Sequence, residues 1–419
     1  MNPIRCITIA VAVLIATLVL CSGMVEGGGS KFLEDSGRLE LVKLIVLNRH
    51  GHRAPNPPYW SMCPNDLGNK AKYNVNMEDL TGLGMQEEFD FGVWLRHRYH
   101  DFIGIRFNRT QHFIRAVGEP RILQSAMAVA QGMFPDGFGP AGFLPARPQF
   151  VPIFSDMDTH EYLLDDVPCF RRATADSQRW VDSQMDTFAA DPSISEPIKK
   201  LQELCGPIMG PQPTVSTYIK TVVDGVIFNS DYGLTVLGGQ VNSKMMYQLR
   251  NISIQMLLNR LYSTDAQQTY TSMDYPETLL GAFDKAKYSI SQMDVDDFEH
   301  PFQKVEVFVC HREALYAFAK FFGFDFDIAT LPRMEVPVST ALIFELLRDK
   351  ATDTYYVRTN VYTPFNGKYT IAYPGCKSPR LCKLTELHGI FDKRVNRTGA
   401  WRQLCNYTEP ELDRITGIR

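Results

Sequence analysis

Arg49-His50-Gly51-His52-Arg53-Ala54-Pro55 sets an imidazole between two guanidinium groups within five residues. A neutral imidazole can attack phosphorus. A guanidinium carries a fixed charge and a planar set of donors that match phosphate oxygens. Gly51 lets the backbone turn beside His50. The segment therefore reads as a small anion pocket with a nucleophile at its base. A second group capable of chemistry lies far downstream, at His311-Arg312-Glu313.

Each histidine follows an apolar run. Residues 41–47 and 305–310 read as buried strands, and His50 and His311 stand just past their carboxyl ends. In an open α/β sheet that edge is where ligands bind, so the two segments converge on one crevice. Other elements fit the same plan. Thr81 can cap a helix whose apolar positions Met85, Phe89 and Val93 recur every four residues. Residues 113–117 read as a strand, and Glu119-Pro120 opens a helix running through Gln131. From about 162 to 299 the pattern is helical, clearest at 196–204, 244–262 and 277–290. After His311, Ala314, Ala317, Phe318, Phe321 and Phe322 mark one helix face. Residues 340–347 and 355–362 read as a hairpin turning at Arg348-Asp349-Lys350. The expected fold is α/β: an open, mostly parallel sheet flanked by helices, with an inserted helical cap. Residues 38–160 and 300–408 form the α/β part, and 161–299 the cap. Residues 55–76 and the cap are expected at the mouth of the crevice.

The chain has 419 residues, 45% of them hydrophobic and 21% charged, with a net charge of -4. That balance suits a globular protein and argues against nucleic acid or an anionic membrane as partner. Residues 1–23 read as a secretory signal, with Arg5 ahead of an apolar stretch too short to span a bilayer. No membrane anchor is expected in the mature protein. Of nine cysteines, Cys6 and Cys21 leave with the signal. The seven that remain predict three bridges and one free thiol, assigned to Cys310 inside its buried strand. Sequons at Asn108, Asn251, Asn396 and Asn406 agree with a secreted glycoprotein.

The run from Arg49 to Pro55 resembles the Arg-His-Gly-x-Arg-x-Pro signature of the histidine acid phosphatase superfamily, in its prostatic and lysosomal acid phosphatase-like branch. Leu80-Thr81-Gly82-Leu83-Gly84-Met85, Phe134-Pro135 and Tyr373-Pro374-Gly375-Cys376 extend the resemblance over about 40–407. It implies that His50 forms a phosphohistidine and that Arg49, Arg53 and Arg121 bind phosphate. It also implies that His311 hydrogen-bonds the phosphate and that no metal or cofactor is needed, because guanidinium groups supply the electrophile. Cys169–Cys405 and Cys376–Cys382 resemble family bridges, which leaves Cys63 for Cys205. Dimers are common in the family, although no interface is legible here.

One position departs from the pattern. The family usually follows the second histidine with aspartate, the proton donor for the leaving group, where this chain has Arg312. Arginine has no proton to give. Glu313 is either the donor, as in the His-Ala-Glu variant of the inositol polyphosphate phosphatase branch, or a first-turn residue that stabilises its helix. Arg115 faces solvent or pairs with Glu119. His52 adds a titratable group beside the pocket. Two functions follow. One is a secreted or lysosomal acid phosphatase that cleaves phosphate monoesters through His50. The other is a weakened relative that binds a small anionic or aromatic ligand in the same pocket.

Overall fold

Eleven consecutive residues of β1 (Leu39–Arg49) run through the centre of a seven-stranded sheet. The computed structural model describes residues 38–135, 149–156, 163–164, 169–292, 302–364 and 367–406. The expected signal peptide, His160 and His300 lie outside them.

The other strands are β2 (His112–Ala116), β3 (Val305–Cys310), β4 (Ala341–Asp349), β5 (Thr354–Thr363), β6 (Gly367–Thr370) and β7 (Cys382–Lys383). Their order is β2-β3-β1-β4-β5-β6, with β7 beside β5. β3 pairs in parallel with β1 on one side and β2 on the other, whereas β5 is antiparallel to β4, β6 and β7. The sheet is thus mixed, with its parallel part carrying the chemistry. The hairpin turn begins two residues later than expected, because Arg348 and Asp349 still pair with Tyr355 and Thr354. Lys43 is buried in β1 and bonds Glu306 of β3 at 2.5 Å, which is how a charged residue sits inside a buried strand.

Among the described residues the α-helices of eight or more residues are α1 (Gly82–Arg98), α2 (Pro120–Met133), α3 (Phe170–Ala190), α4 (Pro192–Cys205), α5 (Asp224–Asp231), α6 (Ser243–Leu261), α7 (Tyr275–Gln292), α8 (Arg312–Phe322) and α9 (Leu384–Thr398). Thr81 caps α1 by accepting from the Gly84 amide at 3.2 Å. The face of α1 that packs is not the expected one. Gly84, Glu88, Phe91, Gly92 and Leu95 are buried, whereas Met85 is 40% exposed. A Cβ on Gly92 would lie 2.2 Å from the Val129 carbonyl of α2, so the two helices meet through glycine rather than through large side chains.

Two apolar centres result. One joins both faces of the sheet with α1, α2, α7 and α8. The other gathers Tyr59, Trp60 and Tyr73 with α4, α5 and α6. Within the segment 55–76, Tyr59, Trp60, Cys63 and Tyr73 are thus core of the helical part, while Asn56 lines the cavity beside His50. Bridges join Cys63–Cys205, Cys169–Cys405 and Cys376–Cys382, while Cys310 is free and buried. Asn108, Asn396 and Asn406 are exposed, and Asn251 is half-buried within α6. Among the described residues no helix is long and apolar enough to cross a membrane.

Candidate active site

The parallel register brings the two histidines together. Arg49 stands opposite Cys310, so His50 and His311 leave neighbouring strands side by side, with ring centroids 5.6 Å apart. Ala116 lies opposite Val309, which delivers Glu119 and Arg121 from the loop after β2 and the start of α2. Three strand ends thus feed one edge of the sheet.

His50 is buried, and its Nδ1 lies 2.8 Å from the Gly51 carbonyl. A carbonyl only accepts, so Nδ1 carries the proton and Nε2 keeps its lone pair. Burial, reinforced by Arg49, His311 and Arg121, pushes the imidazole well below its ordinary pKa. The ring is therefore neutral, the form that attacks. Its backbone is held on both sides: the His50 amide donates to the Cys310 carbonyl at 2.9 Å, and the His50 carbonyl accepts from the Ser339 amide at 3.1 Å. Gly51 has a reason other than turning. A Cβ there would stand 2.4 Å from the Gly84 carbonyl, so the motif lies flat on the start of α1.

A cavity of about 260 Å³ opens beside His50. Arg49, Arg53, Arg121, Arg312 and Lys220 line it, against two carboxylates, Asp224 and Glu313. Arg49 donates to the Val336 carbonyl, and its buried Nε has no protein partner. Arg53 donates to Asn56 Oδ1 at 2.8 Å and lies over the Phe228 ring at 4.4 Å. Burial, with Arg121 nearby, lowers the Arg53 pKa to about 10, so it stays charged. Arg121 pairs with Glu119, which also accepts from His311 Nε2 at 3.1 Å. That bond to His311 holds the Glu119 carboxyl below its usual range.

The expected alternatives for Arg115 and His52 resolve differently. Arg115 pairs with Asp156 at 2.6 Å and faces neither Glu119 nor the pocket. His52 is fully buried. Its Nε2 donates to the Phe228 carbonyl at 2.8 Å, its Nδ1 lies 2.8 Å from Thr81 Oγ1, and its ring stacks on Tyr232. Burial lowers its pKa, so it acts as a neutral tie between the motif and α5.

On the far wall Arg312 reaches Asp224 Oδ2 at 3.1 Å and Glu313 Oε1 at 3.2 Å. Asp224 also accepts from Ser253 Oγ at 2.7 Å. Although burial opposes it, the charge of Arg312, helped by His311 and Arg49, draws the Glu313 carboxyl down to about 2. The same two carboxylates raise Arg312 above the ordinary arginine range. Lys220 lies within a π-helical turn, Ile219–Val223, that runs straight into α5, whose first residue is Asp224. Gly225 seats that helix, since a Cβ would meet the Tyr59 ring at 2.2 Å. Asp224, Lys220 and Phe228 escaped the sequence reading, because nothing in their spacing relates them to the motif. The one local signal was Asp224-Gly225 inside an otherwise helical run.

Residues 40–215 match the histidine phosphatase superfamily (branch 2). Over that stretch the chain is similar to the superfamily. The chain is 31% identical over 122 residues to putative acid phosphatase 5 of Caenorhabditis elegans, covering 29% of this chain and 27% of that protein. It is 32% identical over 133 residues to the lysosomal acid phosphatase of Xenopus laevis, covering 32% and 29%. The matched stretch thus spans under a third of the length of each of these relatives. In fold it resembles the Hafnia alvei phytase solved with tartrate, at a TM-score of 0.64 and 15% identity, over 88% of this chain and 99% of that one.

Proposed function

We propose that this protein hydrolyses phosphate monoesters at acid pH through a phosphohistidine at His50. The observation that carries the reading is the Nδ1 bond to Gly51, which leaves a neutral Nε2 as the attacking atom in an arginine-lined cavity. In the first step Nε2 attacks phosphorus while Arg49, Arg53 and Arg121 hold its oxygens. His311 supports the phosphate from the next strand. Water then releases phosphate and regenerates His50. The low pKa of His50 keeps it neutral as pH falls, which suits a lysosomal or extracellular acid setting. Residues 1–23, the three bridges and the four sequons support delivery of a glycoprotein to such a compartment.

Phosphate release from nitrophenyl phosphate, with acid-labile or alkaline-stable phosphoenzyme resolved after a rapid quench, tests the mechanism. Phosphoenzyme should form on wild type and disappear with His50→Ala. Activity surviving in His50→Ala would remove the phosphohistidine.

A second reading has its own observation. Glu313, the expected donor, is ion-paired and held ionised, and Arg312 stands where a donor is usual. This favours the helix-turn role of Glu313 over proton donation. It also supports a protein that binds a small anion in the cage with little turnover. Comparing an aryl with an alkyl phosphate separates the cases. Turnover of neither, with measurable phosphate binding, would leave only the binding protein.

A further inference from the structure

The carboxylates on the wall of the cage are all engaged by donors of the protein. Asp224 lies between Arg312 and Ser253, Glu313 lies against Arg312, and Glu119 lies between Arg121 and His311. Carboxylates so held are acceptors, and none is placed as a proton donor. An alkyl ester, whose alkoxide must be protonated as it departs, is poorly served by this wall.

The cage also continues. A second cavity of about 360 Å³ shares Lys220, Asp224, Arg312 and Glu313 with it. On its own side stands Arg260, whose Nε and Nη2 are anchored on Ser177 Oγ at 3.0 and 2.8 Å. Neither Lys220 nor Arg260 has a carboxylate partner among the described residues. Phe170, Met256 and Leu257 give that cavity an apolar side. The path out of the cage therefore passes Lys220 beside the paired Arg312, Asp224 and Glu313, with Arg260 and room for an organic group beyond.

We infer that the preferred substrate is a phosphoanhydride: the terminal phosphoryl group enters the cage, and the group that leaves is itself a phosphate, held by Lys220 where the two cavities meet. This rests on the phosphohistidine reading and names its leaving group. His50 Nε2 forms a bond to the terminal phosphorus as the bond to the bridging oxygen breaks. The electron pair stays on that oxygen. Because a phosphate group ionises near pH ~6, it departs as an anion without taking a proton from the protein. Water then adds to phosphorus, the N–P pair returns to Nε2, and the water's proton passes to solvent.

The test measures phosphate release by the purified full chain from pyrophosphate, adenosine diphosphate, nitrophenyl phosphate and glycerol 2-phosphate. Pyrophosphate and adenosine diphosphate should exceed glycerol 2-phosphate in kcat by about 10²-fold or more, the contribution a general acid normally makes. Lys220→Gln, at an exposed position, should raise KM for pyrophosphate about tenfold more than KM for nitrophenyl phosphate. The two anhydrides separate the sources. Preference for adenosine diphosphate assigns the second cavity to an organic tail, and preference for pyrophosphate assigns the site to inorganic anhydrides. Glycerol 2-phosphate turned over as fast as the anhydrides overturns the inference while the phosphohistidine stands. Equal KM shifts in Lys220→Gln overturn the placement of the leaving phosphate. No turnover of any of the four removes both.

Discussion

The two walls of the cavity handle charge in opposite ways. On the sheet side, Arg49 and Arg53 pair with no carboxylate among the described residues and spend their donors on carbonyls and an amide oxygen. On the helical side, Arg312 is neutralised by two carboxylates at once. The first wall is built to receive an anion. The second is built to hold a guanidinium still. Position in a signature motif therefore does not predict how a charged residue acts, because its partners decide that.

Mutations can break this contrast. Arg121→Gln removes a cage donor and should lower kcat/KM for nitrophenyl phosphate roughly 10²–10³-fold, as loss of a preorganised donor does. A change below tenfold would show that the cage is not where the phosphate sits. Gly225→Ala should push α5 from Tyr59 and cost about 1–3 kcal/mol of stability, read as a fall in Tm, with activity lost as Asp224 and Lys220 shift. An unchanged Tm would mean the helix is not seated by that contact.

Glu313→Gln tests the helical wall more finely. If the carboxylate only pins Arg312, kcat for nitrophenyl phosphate should change by less than about tenfold, since partly exposed ion pairs contribute little. The pH dependence of stability has a defined sign. The Glu313 pKa is depressed, so its contribution is present above the unfolded value of about 4.3 and fades as pH falls through about 2. Denaturant titrations should lose that dependence in the variant.

The smallest expected effect lies behind the sheet-side wall. Glu87 accepts from the His52 amide at 2.9 Å, and burial raises its pKa to about 7. A raised carboxyl contributes stability below about 4.3 that is lost as pH rises through about 7. Wild type should therefore become less stable across that window, and Glu87→Gln should flatten the curve. Parallel curves would remove Glu87 as the source.

Much of the sheet was legible because buried strands with chemistry at their ends leave a plain record. β1 and β3 read as apolar runs, and a histidine directly follows each. The helix after Thr81 was legible in place but not in face. Its packing surface includes Gly84, Glu88 and Gly92 beside Phe91 and Leu95, and the first three carry no hydrophobic signal. The short strands β6 and β7 were missed, being four and two residues long and defined only by pairing with β5. Arg115 read as either facing solvent or pairing with Glu119, its near neighbour in sequence. In space Asp156 reaches it first, through a loop running beside β2.

By itself the sequence determined an imidazole among arginines at the end of a buried strand, and a second histidine in the same situation. Those facts are local, set by residue order and by the period of the strands. Only the tertiary structure decided which nitrogen of His50 is free, since that depends on the Gly51 carbonyl lying 2.8 Å from Nδ1. It likewise decided that Asp224, 88 positions from Arg312 in sequence, holds that guanidinium on the helical wall of the cavity. Hydrogen bonds and ion pairs act through space, and their partners are chosen by packing rather than by neighbours in the chain.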